Sequence, residues 1–167
     1  MKIDIYNEEY NTIIEDILKN KEFKKISNCK HHKTTRLEHS KRVSMTAYKI
    51  CKKLNLDYVS AARGGLLHDF FLNDYANENG YKLIKNHPKI ALRNSRKHFK
   101  LNKKEENIIV SHMFPLNLKI IPKYKESYIV SFIDKVIGVY EKSYGYLKEF
   151  NFKLGKFAIY IFLFMFT

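Results

Sequence analysis

Apolar residues along the chain recur at three- and four-residue spacing nearly throughout, and no stretch alternates with period two for long enough to demand a sheet. The pattern predicts an all-α protein. A first helix over residues 7–20 lines up Tyr10, Ile13, Ile14, Ile17 and Leu18 on one face. Residues 21–34 follow as a basic connection containing His31 and His32. Thr35-Arg36-Leu37-Glu38 reads as a capping box, so a second helix starts there, runs through Val43, Ala47, Ile50 and Leu54, and holds His39 in its first turn. Asp57 caps a third helix, whose Ala61, Ala62, Leu66, Leu67, Phe70 and Phe71 make it apolar on most sides. It is the expected buried centre. Pro88 suits the first position of a fourth helix over residues 88–99, which puts His87 at its mouth. Asn102 and Glu105 cap a fifth, which carries Ile108, Ile109 and His112 and ends before Pro115. A sixth runs over residues 125–143 through Ile129, Phe132, Ile133, Val136, Ile137 and Tyr140.

No repeat or low-complexity linker divides these elements. The expectation is a single-domain bundle of about six or more helices over residues 1–167, with an apolar C-terminal segment over 143–167. Composition agrees: 167 residues, 45% hydrophobic and 29% charged, with 6 glycines and 3 prolines, suit one globular core and exclude collagen-like or disordered chains. Cys29 and Cys51 are too few for a disulfide scaffold, and no C-x-x-C pair offers a structural zinc site. A reducing, cytoplasmic setting is expected.

The formal charge of +14 raises nucleic acid or an anionic surface as a partner. Its distribution does not favour that. The 26 lysines outnumber the 5 arginines and are scattered from Lys2 to Lys156, without an arginine-rich arm or an RNA-binding strand signature. A solvated surface whose field draws in phosphorylated substrates is the simpler reading, and no specific nucleic acid partner is expected. Residues 1–10 contain no apolar signal-peptide core, and no apolar stretch reaches about 18 residues, so neither a signal peptide nor a spanning helix is expected. The stretch Phe157 to Phe166 is apolar over only about ten residues and cannot span a bilayer. Packing on the body or across a homodimer is the leading reading; membrane-surface contact beside Lys153 and Lys156, or an aggregation-prone strand, are the others.

The chemistry lies where polar residues break apolar runs. His68 and Asp69 interrupt Leu66-Leu67 and Phe70-Phe71, His112 follows Ile108-Ile109-Val110-Ser111, and Asp134 sits inside Ile129 to Ile137. A buried, unpaired carboxylate costs several kcal/mol, yet neither acid has a Lys or Arg three or four residues away on its own helix. A metal ion answers the deficit. Carboxylate and imidazole donors suit Mn, Fe, Zn, Co or Ni, and the two cysteines lie outside the pattern.

With these residues in place, the sequence resembles the HD superfamily of metal-dependent phosphohydrolases over residues 31–142. The matching motifs are His39 in LEHSKRV, His68-Asp69 in GGLLHDFFL, and Asp134 in SFIDKVIGVYE. His87 in NHP and His112 in SHM fall where the family's dinuclear members place extra ligands. The resemblance implies an HD-type bundle and the ligand set His39, His68, Asp69, His87, His112 and Asp134, with His68 and Asp69 at the catalytic centre. Six ligands exceed what one ion needs, which favours two divalent ions bridged by Asp69, Fe or Mn first and Zn, Co, Ni or Mg behind them.

Two ions about 3.5 to 4 Å apart would turn a water into hydroxide near neutral pH, for in-line attack on a phosphorus whose oxygens they also hold. The implied substrate is a nucleotide or related small phosphate. Dinucleoside polyphosphates are one candidate, since a similar symmetrical hydrolase family carries His, His-Asp, His, His and Asp in this order. The chain departs from the family at Leu72, where many members carry a lysine after His-Asp, which leaves the general acid unassigned; no Gly-Tyr-Pro motif of the cyclic-di-GMP phosphodiesterases is present. Arg42, Arg63, Arg93 and His32 are candidate substrate contacts, each arginine equally readable as solvated surface. His98, in a basic stretch, is expected outside the site. Gly64 and Gly65, costly inside a helix, are explained by close approach of the His39 helix or by a local kink. The rival functions are a non-catalytic HD domain that binds a nucleotide or protein partner, and a basic nucleic-acid-binding helical protein.

Overall fold

A computed structural model of the chain describes residues 8–31, 34–72 and 80–143. Those residues form α1 (Glu8–Lys19), α2 (Lys21–Lys24), a 3-10 turn (Lys25–Asn28), the two-residue strands β1 (Lys30–His31) and β2 (Thr34–Thr35), and then α3 (Arg36–Lys53), α4 (Tyr58–Leu67), α5 (Gly80–His98), α6 (Lys103–Ser111) and α7 (Lys125–Ser143). The architecture is all-α. The basic connection after α1 is more ordered than expected: Asn20 caps α2 by accepting from the backbone N–H groups of Glu22 and Phe23. β1 and β2 then pair antiparallel, Lys30 opposite Thr35 and His31 opposite Thr34.

The caps written in the sequence set the helix starts. Thr35 and Glu38 close a capping box on α3, and Asn102 and Glu105 close another on α6. Asp57 Oδ1 accepts from the Ser60 N–H at the head of α4. Each such cap contributes about 1 kcal/mol by satisfying donors that the first turn leaves open.

Two helix boundaries differ from expectation. α4 stops at Leu67, with His68 as its C-cap, so Phe70 and Phe71 lie beyond the helix. Tertiary donors take over there: Asn94 Nδ2 donates to the Phe70 carbonyl at 2.9 Å and Arg36 donates to the Phe71 carbonyl at 2.6 Å. α5 begins at Gly80 and contains Pro88 in its interior, so His87 sits within a helix and not at its mouth. An interior proline forfeits one backbone hydrogen bond, which is why the first position was the expected place.

α4 is the buried centre. Its most extensive partner is α3, followed by α6, with α1, α7 and α5 also against it. Two core clusters lie around it, one with Tyr10, Ile14, Ile17, Phe23, Tyr48, Leu66 and Ile109, the other with Val43, Ala47, Ala61, Ile108, Val130 and Ile133. Burying each large aliphatic side chain contributes about 1.5–3 kcal/mol. The paired glycines allow this packing. A Cβ on Gly65 would lie 3.2 Å from Ser44 Cα of α3, the approach anticipated for the His39 helix, whereas a Cβ on Gly64 would meet Ile108 of α6 at 2.8 Å. No described helix is long and apolar enough to cross a membrane. The apolar stretch Phe157 to Phe166 and His32 lie outside the described residues.

Candidate metal centre

Five helices deliver imidazoles and carboxylates to one place beside the C-terminal end of α4. His39 comes from the first turns of α3, His68 and Asp69 from the end of α4, His87 from α5, His112 from the C-cap of α6 and Asp134 from α7. All six sequence-derived ligand candidates therefore converge. His39 Nε2 lies 2.9 Å from Asp134 Oδ1, and His68 Nε2 lies 3.5 Å from the same oxygen. Asp69 Oδ2 is 3.8 Å from His68 Nε2, while its other oxygen is 3.4 Å from His87 Nε2 and 3.6 Å from His112 Nε2. His87 Nε2 and His112 Nε2 are 2.8 Å apart.

Two groups of donors fall out of these distances: His39, His68 and Asp134, and His68, Asp69 and His112. Ligand atoms each about 2.1 Å from an ion stand about 3.0 Å apart at a right angle and about 3.4 Å apart at the tetrahedral angle. The observed spacings are of that size. The strongest sign of fit is His68 Nε2, which is fully buried with no hydrogen-bond partner among the described residues. A buried polar atom left in that state costs about 1–3 kcal/mol, and a cation on its lone pair removes the cost. The donor set of imidazole and carboxylate suits a divalent transition ion.

The far side of three of the four rings is fixed. His68 Nδ1 lies 2.8 Å from the Gly65 carbonyl and His112 Nδ1 lies 2.8 Å from the Ile109 carbonyl, so each Nδ1 donates and each Nε2 is turned toward the centre. His39 differs: its Nδ1 lies 3.0 Å from Glu141 Oε2. Electrostatics follows the same division. Burial lowers the basicity of His39, but hydrogen bonds to Asp134 and Glu141 outweigh it and hold the imidazolium up to about 10. Burial, with His87 and His68 adding to it, pushes His112 well below the usual histidine range. Burial opposes ionisation of Asp134, yet Lys135 and the His39 and His68 rings hold it well below the usual carboxylate range.

The expectation that these acids lack a cation on their own helix is corrected by Lys135, whose Nζ lies 2.8 Å from Asp134 Oδ2 and also donates to the His112 carbonyl. A spacing rule of three or four residues cannot see an adjacent lysine that folds back. Three groups that the sequence reading passed over support the site. Arg36 stacks its guanidinium 3.7 Å from the Phe71 ring centroid and pins the Phe71 carbonyl; Lys135 restrains Asp134; Glu141 holds His39. Glu141 is seven residues after Asp134, two turns along the same face, which is the one signal that could have found it.

The candidate substrate contacts fare differently. Arg42 is tied to Glu141 at 2.5 Å. Arg63 points away from the centre and is taken up by Asp16, Glu105 and the Ile13 carbonyl. Arg93 is exposed on α5. His98 packs against Phe70 and Phe99, outside the ligand groups.

The family model for the HD domain matches residues 36–138, and the chain belongs to that family. This is the superfamily of metal-dependent phosphohydrolases, and the convergent His and Asp groups are able to hold divalent metal. Neither a curated protein nor a solved structure matches the chain.

Proposed function

We propose that this chain is a phosphohydrolase that cleaves a phosphoester or phosphoanhydride bond in a nucleotide or related small phosphate. It would use two divalent ions, Fe or Mn first, held by His39, His68, Asp69, His87, His112 and Asp134. The observation that carries the reading is the orphaned Nε2 of His68, grouped with ligand atoms from three other helices and from Asp69. The two oxygens of Asp69 face different histidines, which supports a bridging role. When bound, the ions would acidify a water and hold the phosphoryl oxygens.

The chain's own residues keep that centre in order. The Gly65 and Ile109 carbonyls hold His68 and His112 in the tautomer that leaves Nε2 free. Lys135 occupies Asp134 Oδ2 and leaves Oδ1 to the ligand group. Arg36 and Asn94 anchor the segment just after Asp69. Among the proposed substrate contacts, Arg93 and His32 remain, while Arg42 and Arg63 are engaged by acids. The whole of residues 1–167 is proposed to act as one domain in a reducing, cytoplasmic setting, in keeping with two buried, unpaired cysteines.

A second reading, a non-catalytic HD domain that binds a phosphate ligand, is favoured by one observation. Leu72, in the position of the usual lysine, packs against the core and supplies no acid. Metal analysis of protein purified without chelator, followed by a nucleotide panel that includes dinucleoside polyphosphates with Mn and Fe(II), decides between them. About two equivalents of metal and turnover abolished in Asp69→Ala would support the hydrolase. Metal with nucleotide binding but no turnover would favour the binding domain, and absence of metal would overturn both.

A further inference from the structure

The three imidazoles with defined outer partners are not equivalent. His68 and His112 lean on neutral backbone carbonyls, whereas His39 leans on a carboxylate that is itself buried and itself anchored. We infer that Glu141 is a positioning residue that sets the affinity of the ion held by His39, His68 and Asp134, independently of the ion on the Asp69, His87 and His112 side. This rests on the metal-centre reading above and assigns a role within it. The chain of contacts is short: Arg42 donates to Glu141 Oε1 at 2.5 Å, Glu141 Oε2 stands 3.0 Å from His39 Nδ1, and His39 Nε2 stands 2.9 Å from Asp134 Oδ1.

Each link has a physical consequence. A carboxylate acceptor on Nδ1–H fixes the ring's tautomer and its rotation, and it raises the electron-donating power of Nε2 more than a carbonyl does. Arg42 uses its guanidinium to keep the carboxylate aimed, which accounts for an arginine three residues from a ligand that does not reach into the centre. No such carboxylate stands behind the outer nitrogens of His68 and His112, whose partners are Gly65 and Ile109. Glu141 acts on one ion site through His39, and the carboxylate proposed to bridge the two sites is Asp69, whose oxygens face different histidines.

The test is a Co(II) titration of the full chain after chelator treatment, without substrate, followed by ligand-field absorption and calorimetry. The wild type is expected to bind in two steps. Glu141→Gln, nearly isosteric but uncharged, should weaken one step by about 10–100-fold and leave the other unchanged. The weakened step should be the one that His39→Ala abolishes, and His87→Ala should abolish the other. Circular dichroism establishes that each variant is folded; if Glu141→Gln is not, Arg42→Gln at the half-exposed rim should shift the same step by a smaller factor. Equal weakening of both steps, or wild-type binding in Glu141→Gln, overturns the role given to Glu141 while the metal centre stands. A wild-type chain that takes up no Co(II) removes the metal centre itself, and this proposal with it.

Discussion

The two ends of α4 carry similar residue types in opposite states of hydrogen-bond satisfaction. At its head, Asp57, Glu126 and Lys104 complete one another: Lys104 Nζ lies 2.8 Å from Glu126 and 3.3 Å from Asp57, Glu126 accepts the Asp57 N–H at 3.0 Å, and Asp57 accepts from Ser60. One turn further on, Arg63 joins Asp16 and Glu105. At its tail, Asp69, Asp134 and Glu141 meet four imidazoles, and the ammonium and guanidinium groups of Lys135 and Arg42 pair with Asp134 Oδ2 and Glu141 Oε1. The head is a saturated network that holds helices together. The tail contains a buried ring nitrogen, His68 Nε2, that has no hydrogen-bond partner among the described residues. Buried polar residues mark a binding site when their hydrogen bonds fail to close, and a structural joint when they close.

Substitutions should separate the two ends, and the largest effect is expected at the tail. Asp69→Ala should abolish metal retention and lower hydrolysis by at least about 10³-fold, equivalent to several kcal/mol of transition-state stabilisation. The thermal midpoint of the chelator-treated protein should not fall, because a carboxylate in an acid-rich cluster has been removed. At the head the sign pattern reverses: Glu126→Ala should cost about 1–2 kcal/mol in urea unfolding by leaving the Asp57 N–H without its acceptor, while Lys104 keeps Asp57, with activity per folded molecule unchanged. A variant that lost activity at the head without losing stability would break the contrast.

Removing metal should act on the tail alone. At free ion one hundred times the dissociation constant, bound metal stabilises by about 2.7 kcal/mol, so chelation should lower the midpoint of a chain this size by about 5–10 °C, recovered on adding Mn. Affinity should also depend on pH with a defined sign. His39 is held protonated up to about 10 between two carboxylates, so metal must expel that proton at neutral pH. Affinity should therefore rise about tenfold per pH unit between pH 7 and 9, as followed by titration calorimetry. The smallest effect belongs to the exposed surface. Arg93→Ala should change stability by less than about 0.5 kcal/mol, so any rise in KM it causes reports substrate contact.

Much of the scaffold was legible because it is local. Thr35 with Glu38, Asp57, and Asn102 with Glu105 state helix starts within four residues of chain, and the all-α class follows from spacing alone. The six converging side chains were legible because each polar residue stands inside an apolar run or in a family motif. What escaped depended on tertiary geometry. Pro88 in a helix interior breaks the local rule that located it, and α4 ends early, with Asn94 and Arg36, distant in sequence, taking the Phe70 and Phe71 carbonyls beyond its end. Glu141 and Arg42 look like a solvated acid and base on their own helices and acquire meaning only where α3 meets α7. Lys135 needed a side chain to turn back toward its neighbour.

Gly65 ties the dimensions of the bundle to those of the centre. Its bare Cα admits the backbone of α3 beside Ser44, and its carbonyl grips the outer nitrogen of His68. One added methyl would lie 3.2 Å from Ser44 Cα, so the two rods that bring His39 and His68 together would have to part by a few tenths of an ångström while every candidate ligand stayed in the sequence. Efforts to harden this chain against heat by enriching its helices in alanine should spare that position, since a gain in helix propensity there is set against the spacing between His39 and His68.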